Sequence, residues 1–184
     1  MPFLTEAENN VAIGSDTIYP LRKAFNCIGI GKGTLGGNDE ANYCVAVGSG
    51  AMGAWQLAGL RENCVAIGSK SAPNITKDCT HVGYRAGANV AGERNTSFGY
   101  NSMAIGERST VDITGTNLTC IGAMSSLANT SEAKSANNST AIGANTTITK
   151  SNQIVIGDNN ITEVIIGGKL LTFNEDGTVT WTNI

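Results

Sequence analysis

The sequence predicts an all-β fold, a parallel β-solenoid of short repeats, on three observations. A five-residue block ending in glycine recurs along nearly the whole chain. Within each block, bulky β-branched residues alternate with small ones. The segments between blocks are rich in Gly, Asn, Ser and Thr, residues that turn a chain rather than extend it.

The blocks are Asn10–Gly14, Cys27–Gly31, Cys44–Gly48, Cys64–Gly68, Cys79–Gly83, Asn95–Gly99, Leu118–Gly122, Ser139–Gly143, Gln153–Gly157 and Glu163–Gly167. A further copy, Ser102–Gly106, follows Gly99 so closely that it reads as the return half of the same turn. A fixed pattern returning at intervals of this size marks a repeat architecture, in which each turn stacks on the next. The interval is uneven, from 10 residues (Gly157 to Gly167) to 23 (Gly99 to Gly122), so some turns carry insertions.

Each block is read as a strand, in which successive side chains point to opposite faces. One face carries Val11 and Ile13, Ile28 and Ile30, Val45 and Val47, Val65 and Ile67. The other carries Ala12, Gly29, Ala46, Ala66, Ser97 and Ala141, with Asn, Cys or Ser two positions earlier. A coil this short has a narrow interior, so the small face belongs inside. The bulky stripe then lies outside, and a long exposed apolar stripe calls for a partner. Self-association along a common axis is the economical answer. The glycine closing each block is placed where the chain must turn sharply. The polar residues after it, such as Ser49–Met52 and Ser69–Ala72, are read as the second strand of each turn.

Three insertions stand out: Ile18–Phe25, Ala54–Glu62, which is long enough for one or two helical turns, and the polar stretch Ala123–Asn137. The end of the chain differs. Leu170–Phe173 and Thr178–Trp181 alternate around an Asp-Gly turn, which predicts a hairpin capping the coil. The expected organisation is an N-terminal segment 1–8, a repeat array 9–168 and a hairpin cap 169–184.

Composition sets limits. The net charge is −3, and no basic stripe with interleaved aromatics is present, so nucleic acid is not an expected partner. No apolar run reaches the length of a membrane span, so membrane insertion is not expected. The N-terminus lacks the basic and apolar regions of a signal peptide, which implies synthesis in the cytoplasm. Five cysteines, an odd number, fit a reducing compartment.

Blocks such as Asn63–Gly68 resemble the head repeats of trimeric autotransporter adhesins. Gly83–Gly87 followed by Asn95–Tyr100 is similar to repeats of bacteriophage tail fibres. The stretch from Asn152–Gly157 to Thr178–Trp181 looks like fibre segments that precede an endosialidase-type chaperone domain. The resemblance implies a left-handed parallel β-roll, three chains about one axis, and an adhesive or virion role. The expected protein is therefore a homotrimeric virion component, made in the host cytoplasm. It would be a tail fibre or tail tip that contacts other tail proteins and a host surface glycan or outer-membrane protein. The alternatives are a bacterial adhesin head fragment and a capsid or collar decoration fibre without receptor contact. The absence from this chain of a coiled-coil stalk, anchor or chaperone domain favours a small virion protein or processed fibre over a complete adhesin.

No catalytic, cofactor or metal site is expected. Gly31–Gly36 and Gly48–Gly53 match a dinucleotide-binding pattern but fall on repeat turns, without the strand-to-helix context that such a site needs. Cys27, Cys44, Cys64 and Cys79 share one repeat position, without zinc-site spacings, and read as packed thiols. His81 takes a small-face position and reads as a packed polar residue. Asp39–Glu40 and Glu175–Asp176 fall in turns and read as solvated. The sequons, such as Asn74–Thr76, are expected from composition. Candidate ligand contacts are Trp55 and Arg61 in the 54–62 insertion and Trp181 in the hairpin. A ring and a guanidinium can stack on a sugar or apolar patch and hydrogen-bond around it. The alternative for Trp55, Tyr19, Tyr43 and Trp181 is packing against the coil or a neighbouring chain.

Overall fold

A computed structural model of the chain describes residues 6–19, 22–37, 40–53, 60–74, 77–105, 112–167, 169–173 and 178–183. It is nearly all β, a parallel β-solenoid of about 8 turns. One long sheet stacks nine parallel strands in chain order: Val11–Ile13, Ile28–Ile30, Val45–Val47, Val65–Ile67, Thr80–Val82, Thr96–Phe98, Leu118–Ile121, Ser139–Ile142 and Ile154–Ile156. These are the repeat blocks, and they pair in the register that alignment on the glycines demands: Ala12 opposite Gly29, Gly29 opposite Ala46, Ala46 opposite Ala66.

Up to Gly99 the second wall of the coil is not where the sequence suggests. The residues after the glycine form tight turns there, because positive φ recurs at every second position: Gly50 and Met52, Lys70 and Ala72, Asn101 and Met103. A chain with that alternation cannot extend. The second sheet instead precedes the first four blocks. It stacks Glu6–Glu8, Lys23–Phe25, Glu40–Asn42 and Leu60–Glu62 in parallel. Leu60–Glu62 therefore belongs to a strand, where the sequence suggests helical turns; residues 54–59 lie outside the described residues. Further along, Ser126–Leu127 pairs with Thr147–Ile148, and a short helix, Ser131–Lys134, is capped by the Thr130 hydroxyl.

Two chain features make the corners. A residue one or two positions before each long-sheet strand is left-handed: Asn9, Asn26, Tyr43, Asn63, Asp78, Arg94, Asn117, Asn138 and Asn152. Asn and Asp tolerate that conformation better than other side-chain-bearing residues, which explains the asparagines that recur ahead of the blocks. Their side chains also bridge rungs, as in Asn138 Nδ2 to Asn152 Oδ1 at 3.0 Å and Asn63 Nδ2 to Asp78 Oδ1 at 3.0 Å. At the other corner stands the block glycine. Gly83 has φ +134, and a Cβ there would sit 2.3 Å from the Gly99 carbonyl oxygen of the next rung.

The faces fall as their sizes require. Ala46, Ala66, Ser97, Cys120 and Ala141 are fully buried inside the coil, with Cys27, Cys44, Cys64 and Cys79 stacked beside them. The interior has two clusters. The N-terminal one is filled by Ala and Cys with Leu35 and Met52. The C-terminal one holds the larger Ile113, Leu118, Leu127 and Ile148.

After Ile156 the coil stops. Glu163–Ile166, which reads from sequence as a last repeat, pairs antiparallel with Lys169–Phe173, which pairs antiparallel with Val179–Asn183. The Asp-Gly turn, residues 174–177, lies outside the described residues.

Candidate functional surface

The largest uncommitted feature is the outer face of the long sheet. One row runs Ile13, Ile30, Val47, Ile67, Val82, Phe98, Ile121, Ile142, Ile156, in register across all nine strands and apolar at every rung. The parallel row runs Val11, Ile28, Val45, Val65, Thr80, Thr96, Thr119, Thr140, Ile154. Eight steps at about 4.8 Å make this stripe about 38 Å long. Ile13, Ile28, Ile30, Ile67, Phe98, Ile121 and Ile142 are exposed, and Ile154 reaches 75%. Isolated exposed aliphatics are ordinary, but a continuous row is not.

Of the predicted contact residues, Trp181 is exposed, on the last strand opposite Leu171. Trp55 lies outside the described residues. Arg61 is not on the rim. It occupies the middle of its strand, in register with Ala24 and Ala41, and so points into the coil, where it is 2% exposed. Its guanidinium donates to the Met52 carbonyl and to the Pro73 carbonyl, the latter at 3.0 Å. Burial lowers its pKa only to about 10, so it remains a cation at neutral pH. A side chain so committed ties two neighbouring turns together and does not present itself to a ligand. Tyr19 and Tyr43 are exposed, and Tyr43 is one of the left-handed corner residues.

One aromatic feature escapes the sequence reading. Tyr84 and Tyr100 each follow a block glycine on adjacent turns, and their rings stack with centroids 5.5 Å apart and planes 12° apart. The sequence spells Gly-Tyr in both blocks, so register alone would place the pair.

The interior chemistry is enclosed. His81 Nδ1 lies 2.7 Å from the Ser97 hydroxyl, and both residues are fully buried. Burial holds the imidazole down at about 4, so it is neutral at physiological pH. All five thiols are free and buried. Within the row, thiol-to-thiol hydrogen bonds are the largest influence: they hold Cys44 and Cys79 up and Cys27 and Cys64 down. Burial alone pushes Cys120 up to about 12. Among the described residues, no group of three or more His, Cys, Asp or Glu side chains is arranged to hold a metal ion. Both glycine-rich matches sit at coil corners, with Gly33 and Gly50 left-handed inside them.

No protein-family model, curated protein or solved structure matches this chain.

Proposed function

We propose that the chain is a self-associating fibre segment, three copies packing their long-sheet stripes about a common axis, and that it serves attachment in a phage tail fibre or tail tip. The observation that carries the self-association is the row from Ile13 to Ile156, apolar at every rung and open to solvent in a single chain. At about 25 cal/mol per Å² of apolar surface removed from water, covering such a stripe is strongly favourable. The number three and the virion setting come from the sequence resemblance described above.

In this reading the coil is a rigid spacer, and contact with the host falls to what the coil leaves exposed. Trp181 on the terminal sheet and Trp55 are the ring candidates, while Arg61 braces the wall of the coil. Several copies about one axis strengthen a weak contact by avidity.

The test is competition. Purified protein should reduce adsorption of whole particles to their host, and Trp181→Ala or Trp55→Ala should weaken that effect while leaving the assembly intact. Failure of the assembled protein to compete at micromolar concentration would leave a structural fibre without an attachment role.

A further inference from the structure

We infer that Thr80, Thr96, Thr119 and Thr140 orient the copies of this chain against one another, forming a block of hydroxyls that selects parallel packing over head-to-foot packing. This inference rests on the self-association proposed above and adds the side chains that set its geometry.

The two rows of the stripe differ in kind. The row from Ile13 to Ile156 is aliphatic at every strand but the sixth, which carries Phe98. The row beside it changes halfway. Its first four strands present Val11, Ile28, Val45 and Val65, the fifth to eighth present the four threonines, and the ninth presents Ile154. The threonines stand in direct register, Thr80 opposite Thr96, Thr96 opposite Thr119, and Thr119 opposite Thr140. All four are half-buried in the single chain. Among the described residues, none of their hydroxyls has a hydrogen-bond partner.

A second copy supplies what such a column lacks. A hydroxyl both donates and accepts, so a column of hydroxyls is complementary to itself. Its spacing of about 4.8 Å is met by the same column in another copy. A closed ring of copies leaves no axial stagger, so orientation is the choice that remains. In parallel copies each threonine meets its own counterpart, and each aliphatic meets an aliphatic. With one copy turned end for end, Thr96 meets Val65, Thr119 meets Val45 and Thr140 meets Ile28. Each such layer closes a hydroxyl against methyl groups, desolvated and unpaired, which is unfavourable. Sliding the reversed copy until threonine meets threonine leaves Val11, Ile28 and Val45 of both copies uncovered. The block discriminates because it lies off centre in the stripe. A uniformly aliphatic row would accept a copy in either direction, and the threonines penalise one of them.

Nitroxide labels and double electron–electron resonance on the assembled protein test this. The labels go on Ser15→Cys, after the first strand, and in a separate sample on Asn159→Cys, after the ninth. Both positions are exposed, and the native thiols are buried. The parent sequence should give a single short distance at each position. The variant carrying Thr80→Val, Thr96→Val, Thr119→Val and Thr140→Val should still assemble and should add a second distance at both positions, with an axial component of about 38 Å. A second variant keeps every hydroxyl. Ile28→Thr, Val45→Thr and Val65→Thr extend the block from the second strand to the eighth, so that reversal matches every layer, and the same longer distance should appear. Phe98 is unchanged in both variants, so the readout belongs to the threonines. The longer distance in the parent, or a single short distance in either assembled variant, would overturn the inference. Sedimentation of the same samples gives their mass. A monomeric parent, which would refute self-association itself, is thereby told apart from an assembled parent with the wrong orientation.

Discussion

The His81 imidazole and the Ser97 hydroxyl meet 2.7 Å apart on adjacent turns, fully enclosed, and the imidazole's other nitrogen, Nε2, finds no hydrogen-bond partner. A protonated ring there would be a buried charge without a counter-ion. The folded pKa, about 4, lies below the ordinary 6.5, so the unfolded chain takes up a proton first as pH falls. Stability from this group is complete above about pH 6.5 and is lost progressively down to about pH 4. The full loss is on the order of 3 kcal/mol per chain. Denaturant midpoints measured at pH 7.5, 5.5 and 4.5 should fall more steeply for the parent than for His81→Gln. Parallel slopes would mean that the ring is not buried neutral.

Two glycines at positive φ should behave oppositely. Gly83→Ala forces a Cβ to 2.3 Å from a backbone oxygen at φ +134 and should cost about 3 kcal/mol or more. Gly33 has φ +64, and a Cβ added there would meet nothing within 4 Å, so Gly33→Asn should be nearly neutral. Thermal unfolding of both variants checks the pair. Equal effects would contradict the close stacking of rungs at the glycine corner.

Arg61→Ala removes the donors to the Met52 and Pro73 carbonyls and opens a void in the coil, which should cost about 3–5 kcal/mol. Arg61→Lys keeps the charge but not the fork and should recover only part of the loss. A fully stable Arg61→Ala protein would return this residue to the surface role that its sequence position suggests.

The five thiols should resist a bulky thiol reagent in the folded protein and react on unfolding, because all are buried. Rapid native labelling of Cys44 or Cys64 would contradict the packed row.

Much of this architecture is legible in the sequence. Alternation in segments such as Val45–Val47 decides which side chains face inward, and the glycines set the register. The second wall is not legible, because Lys23–Phe25, Glu40–Asn42 and Leu60–Glu62 share no residue type beyond a central small residue, and Arg61 breaks even that. Arg61 looks like a loop residue because its strand abuts an insertion. Glu163–Ile166 passes for a coil strand because its letters match the repeat. Only 10 residues separate Gly157 from Gly167, too few to travel round the coil, and the chain folds back instead.

The central claim is that the stripe from Ile13 to Ile156 is covered by other copies of the chain. Sedimentation equilibrium of the parent and of a variant carrying Ile30→Asp and Ile67→Asp tests it most directly. The account predicts three times the 19.0 kDa chain mass for the parent and dissociation of the variant. A parent that stays monomeric at micromolar concentration would contradict it.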